Sequence, residues 1–183
     1  FPGNIYIPFA SLSPEFSSHS VTCNSPSKAF NIAGLQIANI IVPDNDMRTR
    51  IDRAININEV CDVNPFGVEA LIAAYNEGEE WLSQLLAYLK GNDDFMWDFC
   101  RQNLPQFPLT RLEGTYLEWM DCKTIGLASA ELEKRLIDEA GLWLNAGTMY
   151  GAEGEGFMRW NIACPRSRLT EGLERFRQYI SSL

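Results

Sequence analysis

Histidine is almost absent from the chain: His19, flanked by Ser18 and Ser20, is the only one. A histidine metal cluster is thereby excluded, and a Ser-His-Asp triad would rest on this one residue. The five cysteines, Cys23, Cys61, Cys100, Cys122 and Cys164, are odd in number and widely spaced. They contain no C-x-x-C pair of the kind that holds zinc, so no metal site is expected, and they read as reduced thiols of a cytoplasmic protein. Cations are the minority charge, 15 Lys and Arg against 24 Asp and Glu, for a net charge of -9 and a pI near 4.6. Such a balance opposes a phosphate backbone, and no nucleic-acid partner is expected. No apolar run approaches the roughly 20 residues of a membrane span. The sequence also shows no internal repeat and no Walker-type glycine loop. Phe1 opens it without an initiator methionine, a basic segment or an apolar signal core, and the expectation is a chain that starts mid-protein.

What is present is enough for a folded domain. At 183 residues, 46% of them hydrophobic, a chain buries roughly 70% of its unfolded surface. Residues 1–19, with Pro2, Pro8 and Pro14, read as an irregular lead-in with one short helix near "SPEF". "SVTCN" and "QIANIIVPD" are β-branched runs joined through Gly34, which predicts neighbouring strands. "DNDMRTRIDRAINI" predicts a helix capped by Asp44 or Asn45. From Phe66 to Leu104 the apolar spacing is helical, with breaks expected at Gly78 and at Gly91–Asn92 and a stop at Pro105. The aromatic stripes there read as buried helix faces. The last third alternates: strand "GTYLEWMDC", helix "SAELEKRLIDEA" capped by Ser129, strands "LWLNAG" and "GFMRWNIAC", then a closing helix with Leu169, Leu173, Phe176 and Ile180 on one face. The predicted fold class is α/β, an open sheet covered by helices on at least one side. Glu153 and Glu155 lie in a glycine-rich loop and read as solvated.

"SPSKAFNIAGLQ", residues 25–36, places one lysine among two serines and a proline after a β-rich run. A lysine there either caps a solvated loop or is desolvated, and a desolvated amine becomes a nucleophile able to form an imine with a carbonyl compound.

That stretch, with "EGTYLEWMDC" and "GEGFMRWNIACPRSRL", resembles the carboxy-terminal half of fold-type I, class I/II aminotransferase-like pyridoxal-phosphate enzymes, and most closely their cystathionine β-lyase (C–S lyase) branch. The likeness runs over essentially the whole chain. It implies a small C-terminal α/β domain plus the last strands of the large cofactor domain: residues 1–58 the end of the large domain, 59–105 a helical connection, 106–183 the small domain. It implies that Lys28 holds pyridoxal 5'-phosphate and moves the substrate's α-proton, that Ser25 and Ser27 contact the cofactor phosphate, and that Arg159 binds the substrate α-carboxylate. Where many relatives carry an arginine eight positions after the lysine, this sequence has Gln36, which favours the lyase branch and removes one cation from the phosphate. The family's ring-stacking aromatic, its pyridine-nitrogen acid and its glycine phosphate loop precede the lysine. The 183 residues are therefore expected to be an inactive fragment that does not retain the cofactor. The implied whole is a cytoplasmic homodimer acting on a small cysteine-type amino acid and releasing thiol, ammonia and pyruvate. A class I/II aminotransferase is the alternative, and a non-catalytic module is a third reading.

Overall fold

The computed structural model describes residues 1, 3–59 and 62–183; Pro2 and Cys61 lie outside the described residues. The chain divides into two compact units, Ile5–Leu85 and Leu86–Leu183 with Phe1–Asn4.

In the first unit, helix α1 (Pro14–Ser18) is the short helix expected near "SPEF"; the Ser13 hydroxyl accepts from the Phe16 amide and proline occupies its first turn. Strands β1 (Thr22–Asn24) and β2 (Asn39–Ile41) pair antiparallel, with Cys23 opposite Ile40. Helix α2 (Asn45–Asn56) takes Asp44 as its cap, the carboxylate accepting from the Met47 amide at 2.7 Å. Helix α3 (Pro65–Glu77) is capped by Asn64, and α4 (Glu79–Asn103) starts directly after Gly78. Few apolar side chains are buried in this unit: Ile37 and Val42 are, whereas Ile5, Tyr6, Ile7, Phe9 and Phe66 are open to solvent.

The second unit holds the main core. Strands β3 (Leu117–Asp121), β4 (Asn145–Ala146) and β5 (Phe157–Asn161) form an antiparallel sheet in the order β3-β5-β4. Helices α5 (Ser129–Ala140) and α6 (Arg166–Ile180) follow β3 and β5. Side chains on a strand alternate between faces. Glu118, Met120, Met158 and Trp160 are therefore buried, and Met120, Met158 and Trp160 join Leu132, Leu136, Leu173 and Phe176 in one cluster. Leu117, Trp119, Phe157 and Arg159 point to the other, half-open face.

Two local expectations are corrected. Helix α4 runs through Gly91 and Asn92 without a break. A glycine inside a helix costs about 1 kcal/mol, but Asn92 offsets it with three long-range bonds: its amide donates to the Ile162 and Cys164 carbonyls at 2.8 and 3.0 Å and accepts from Arg166 Nε at 2.7 Å. Ser129 does not cap α5. It is the first helical residue, after Ala128 at the cap position, and its amide is satisfied instead by Glu155, whose carboxylate accepts from it at 2.7 Å. The residue expected to be merely solvated thus satisfies a free helix N–H from 26 positions away.

Glu118 is a carboxyl in an apolar core, fully buried, with Asp93 of α4 beside it. No N–H or O–H among the described residues reaches either of its oxygens. Burial first, then the adjacent Asp93 carboxyl, push Glu118 up to about 9, with Lys90 pulling weakly the other way. Glu118 is therefore held protonated beside Asp93, one of whose oxygens pairs with Lys90 at 3.1 Å. Folding takes up this proton. Stability is full below the ordinary carboxylate pKa of about 4.3 and falls as pH rises from there towards the folded value, by at most about 1.4 kcal/mol per pH unit. Glu118→Gln, which keeps the shape and a donor, should flatten that decline between pH 5 and 9; urea unfolding across this range is the measurement, and an unchanged slope would show that Glu118 does not carry the proton.

Candidate active site

Lys28 lies in the first unit, on the turn of residues 26–31 between β1 and β2, and its side chain is exposed. The turn is anchored from beneath. Pro26 is buried, and the Ser25 hydroxyl donates to the Ile37 carbonyl and accepts from the Ser27 amide at 3.1 Å. The Ser25 and Ser27 hydroxyls are 2.7 Å apart. These contacts tie the turn's start to the return strand and aim Lys28 outward, where no carboxylate pairs with it among the described residues. Gln36 is exposed and holds a left-handed backbone, φ 51°, at the end of the tight turn over residues 33–35.

Arg159 lies in the second unit on the central strand β5, opposite Trp119 of β3 and Asn145 of β4. Its Nη2 donates to Asn145 Oδ1 at 2.9 Å, and the guanidinium carbon stands 4.3 Å from the centre of the Tyr150 ring. Nε is buried without a partner among the described residues. No carboxylate pairs with Arg159 among the described residues, although Arg101, Arg135, Arg175 and Arg177 each have one. Trp119 meets Tyr150 edge-on at 5.5 Å and Phe157 at 6.2 Å, so the half-open sheet face presents one arginine in an aromatic frame.

A loop brings Tyr150 into this frame. Gly147 and Gly154 face each other so closely that a Cβ on Gly147 would lie 2.1 Å from the Gly154 carbonyl oxygen, a clash between backbones with no side chain to yield. Asn145 and Tyr150 were not picked out from the sequence; the signal for them was the strand position of Asn145 in "LWLNAG" and a tyrosine bracketed by Gly147 and Gly151.

Residues 4–176 match the family model described as aminotransferase class I and II, and the chain belongs to that family. It is 40% identical over 179 residues to cystathionine β-lyase PatB of Bacillus subtilis, covering 98% of this chain and 46% of that protein. It superposes with a TM-score of 0.95 at 30% identity on cystalysin of Treponema denticola, a structure containing pyridoxal 5'-phosphate, covering 99% of this chain and 46% of that one. A pyridoxal-phosphate-bound C–S lyase of Staphylococcus hominis matches with a TM-score of 0.85 at 34% identity, over 96% of this chain and 45% of that one. The chain spans about half the length of the curated relatives it matches. The α/β fold expected from the sequence is thus the aminotransferase fold in part.

Gly147→Ala should displace the loop and lift Tyr150 from Arg159, with a loss of about 1–3 kcal/mol of stability as for other overpacked sites. Thermal unfolding read together with tyrosine fluorescence checks it; a wild-type melt would mean the two backbones are not so close.

Proposed function

We propose that this chain is the carboxy-terminal part of a pyridoxal-phosphate-dependent C–S β-lyase that takes a cysteine-type amino acid, such as cystathionine, to a thiol, ammonia and pyruvate. The observation that carries the reading is an arginine held without a carboxylate partner among the described residues on a half-open sheet face, in a chain 40% identical to a cystathionine β-lyase. The first unit supports a cofactor role: an exposed amine without an acidic partner can reach an aldehyde, and two adjacent hydroxyls can meet a phosphate. When bound, pyridoxal phosphate supplies the electron sink for charge developing at the substrate α-carbon.

In this reading Lys28 Nζ holds the aldehyde at rest and accepts the α-proton in turnover. Ser25 and Ser27 orient the phosphate, Ser25 being the more constrained because its hydroxyl also holds Ile37. Arg159 grips the α-carboxylate with the planar edge of its fork. Residues 1–58 complete the large cofactor domain, 59–105 connect, and 106–183 form the small domain. The remaining cofactor contacts come from polypeptide outside these 183 residues, so the chain alone holds no stable cofactor. The whole enzyme works as a cytoplasmic homodimer. A class I/II aminotransferase shares the same residues and differs only in whether a β-leaving group departs; cystathionine fed to the full-length protein separates the two by thiol and pyruvate release against transfer of the amino group to a 2-oxo acid.

Borohydride reduction of the full-length protein with pyridoxal phosphate should leave the label on Lys28 in peptide mapping; a label on Lys90, Lys123 or Lys134 would sink the assignment. Arg159→Ala should weaken amino-acid binding about 10- to 150-fold, the worth of a charge-assisted pair of roughly 1.5–3 kcal/mol, while the bound cofactor's absorption stays unchanged. Unaltered affinity would count against the carboxylate role.

A further inference from the structure

Among the described residues the guanidinium of Arg159 makes one hydrogen bond and one cation–ring contact, and both partners are neutral. Asn145 Oδ1 accepts from Nη2 at 2.9 Å, and the Tyr150 ring faces the guanidinium at 4.3 Å. Each contact is fixed from behind: Asn145 sits on β4 in register with Arg159, and Tyr150 is braced edge-on by Trp119 at 5.5 Å. Two contacts of different kinds, a hydrogen bond from Nη2 and a cation over an aromatic ring, remove much of the rotamer freedom of a long side chain. Because neither is an anion, the positive charge is left uncompensated. An aspartate at 145 would hold the same geometry but neutralise it.

We propose that Asn145 and Tyr150 are positioning residues for Arg159, which fix its guanidinium on the sheet face while keeping its charge free for an incoming carboxylate. The proposal rests on the reading of Arg159 as the α-carboxylate ligand.

The test uses the full-length protein loaded with pyridoxal phosphate and measures equilibrium dissociation constants for L-alanine and L-alanine methyl ester from the shift in cofactor absorbance. The ester has the amine but no carboxylate, so the ratio of the two constants reports recognition of that group alone. Asn145→Asp is close to isosteric and should fold with an unchanged or raised melting temperature, yet lose about tenfold or more in L-alanine affinity, since the new anion competes for the guanidinium. Tyr150→Leu should lose about fivefold in L-alanine affinity, and Tyr150→Phe, which keeps the ring face, should restore it to within about twofold. The ester constants should stay level throughout. A purely structural role for Asn145 makes the opposite forecast, because aspartate would strengthen the bond and leave binding intact. Wild-type discrimination in Asn145→Asp and Tyr150→Leu, with discrimination lost in Arg159→Ala, overturns the positioning role alone; discrimination retained in Arg159→Ala overturns the carboxylate reading and the positioning role with it.

Discussion

The register of β5 between its two neighbours is the constraint on which the second unit depends. With Arg159 opposite Trp119 on one side and Asn145 on the other, Met158 and Trp160 enter the core and Arg159 stays at the half-open face. A slip of one residue would exchange the faces, putting a guanidinium among Met120, Leu136 and Phe176 and two large apolar side chains into water. Either half of that exchange costs several kcal/mol. The core therefore fixes the position of Arg159: burying Met158 and Trp160 is what keeps it at the half-open face, and the same pairing brings in the residue that holds its Nη2.

The helix-covered face carries a cost of its own. Glu118 belongs by period to the buried set, and the fold accommodates it by keeping its proton rather than by pairing it with a cation. Lys90 is committed to Asp93 and Asp94 of its own helix, and Cys100 beside the pair is pushed up to about 12 by burial and then by Glu118. A carboxyl that keeps its proton beside Asp93 adds no second negative charge to the pair that Asp93 makes with Lys90. That arrangement is far cheaper in a low-dielectric core than two carboxylates facing each other.

Periodicity made much of this legible in the sequence. The succession of strands and helices in the last third, the α6 face of Leu169, Leu173 and Phe176 and the cap at Asp44 follow from spacing and cap chemistry, which are local. The failures came from residues whose partners are distant. Gly91–Asn92 looks like a helix breaker because local propensity sees a glycine and a poor helix former; the bonds from Asn92 to Ile162 and Cys164 reverse the balance from some 70 positions away. Ser129 looks like a cap, but the carboxylate that satisfies the helix belongs to Glu155. Lys28 and Arg159 became candidates through resemblance to a family, since neither has a local pattern that separates it from a surface cation. Asn145 and Tyr150 escaped because a strand amide and a tyrosine between glycines point to no partner until the strand pairing is known.

The two units differ in how much of their own apolar surface they bury. In the second, the sheet and helices enclose a continuous cluster from Met96 to Tyr179. In the first, Ile5 and Tyr6 are 88% and 84% exposed, and both β2 isoleucines, Ile40 and Ile41, are about half exposed. A two-stranded pair with open apolar side chains is marginal by itself, and exposed apolar patches of this kind mark surfaces that other polypeptide covers. The proposal that the lysine-bearing unit completes a larger domain agrees with this difference. Its hydrogen bonds already set the Lys28 turn, through Ser25, Ser27 and Ile37, so the local geometry of the amine does not wait for the rest. What the additional polypeptide would supply is burial, and with burial the low-dielectric surroundings in which an exposed ammonium becomes a usable base.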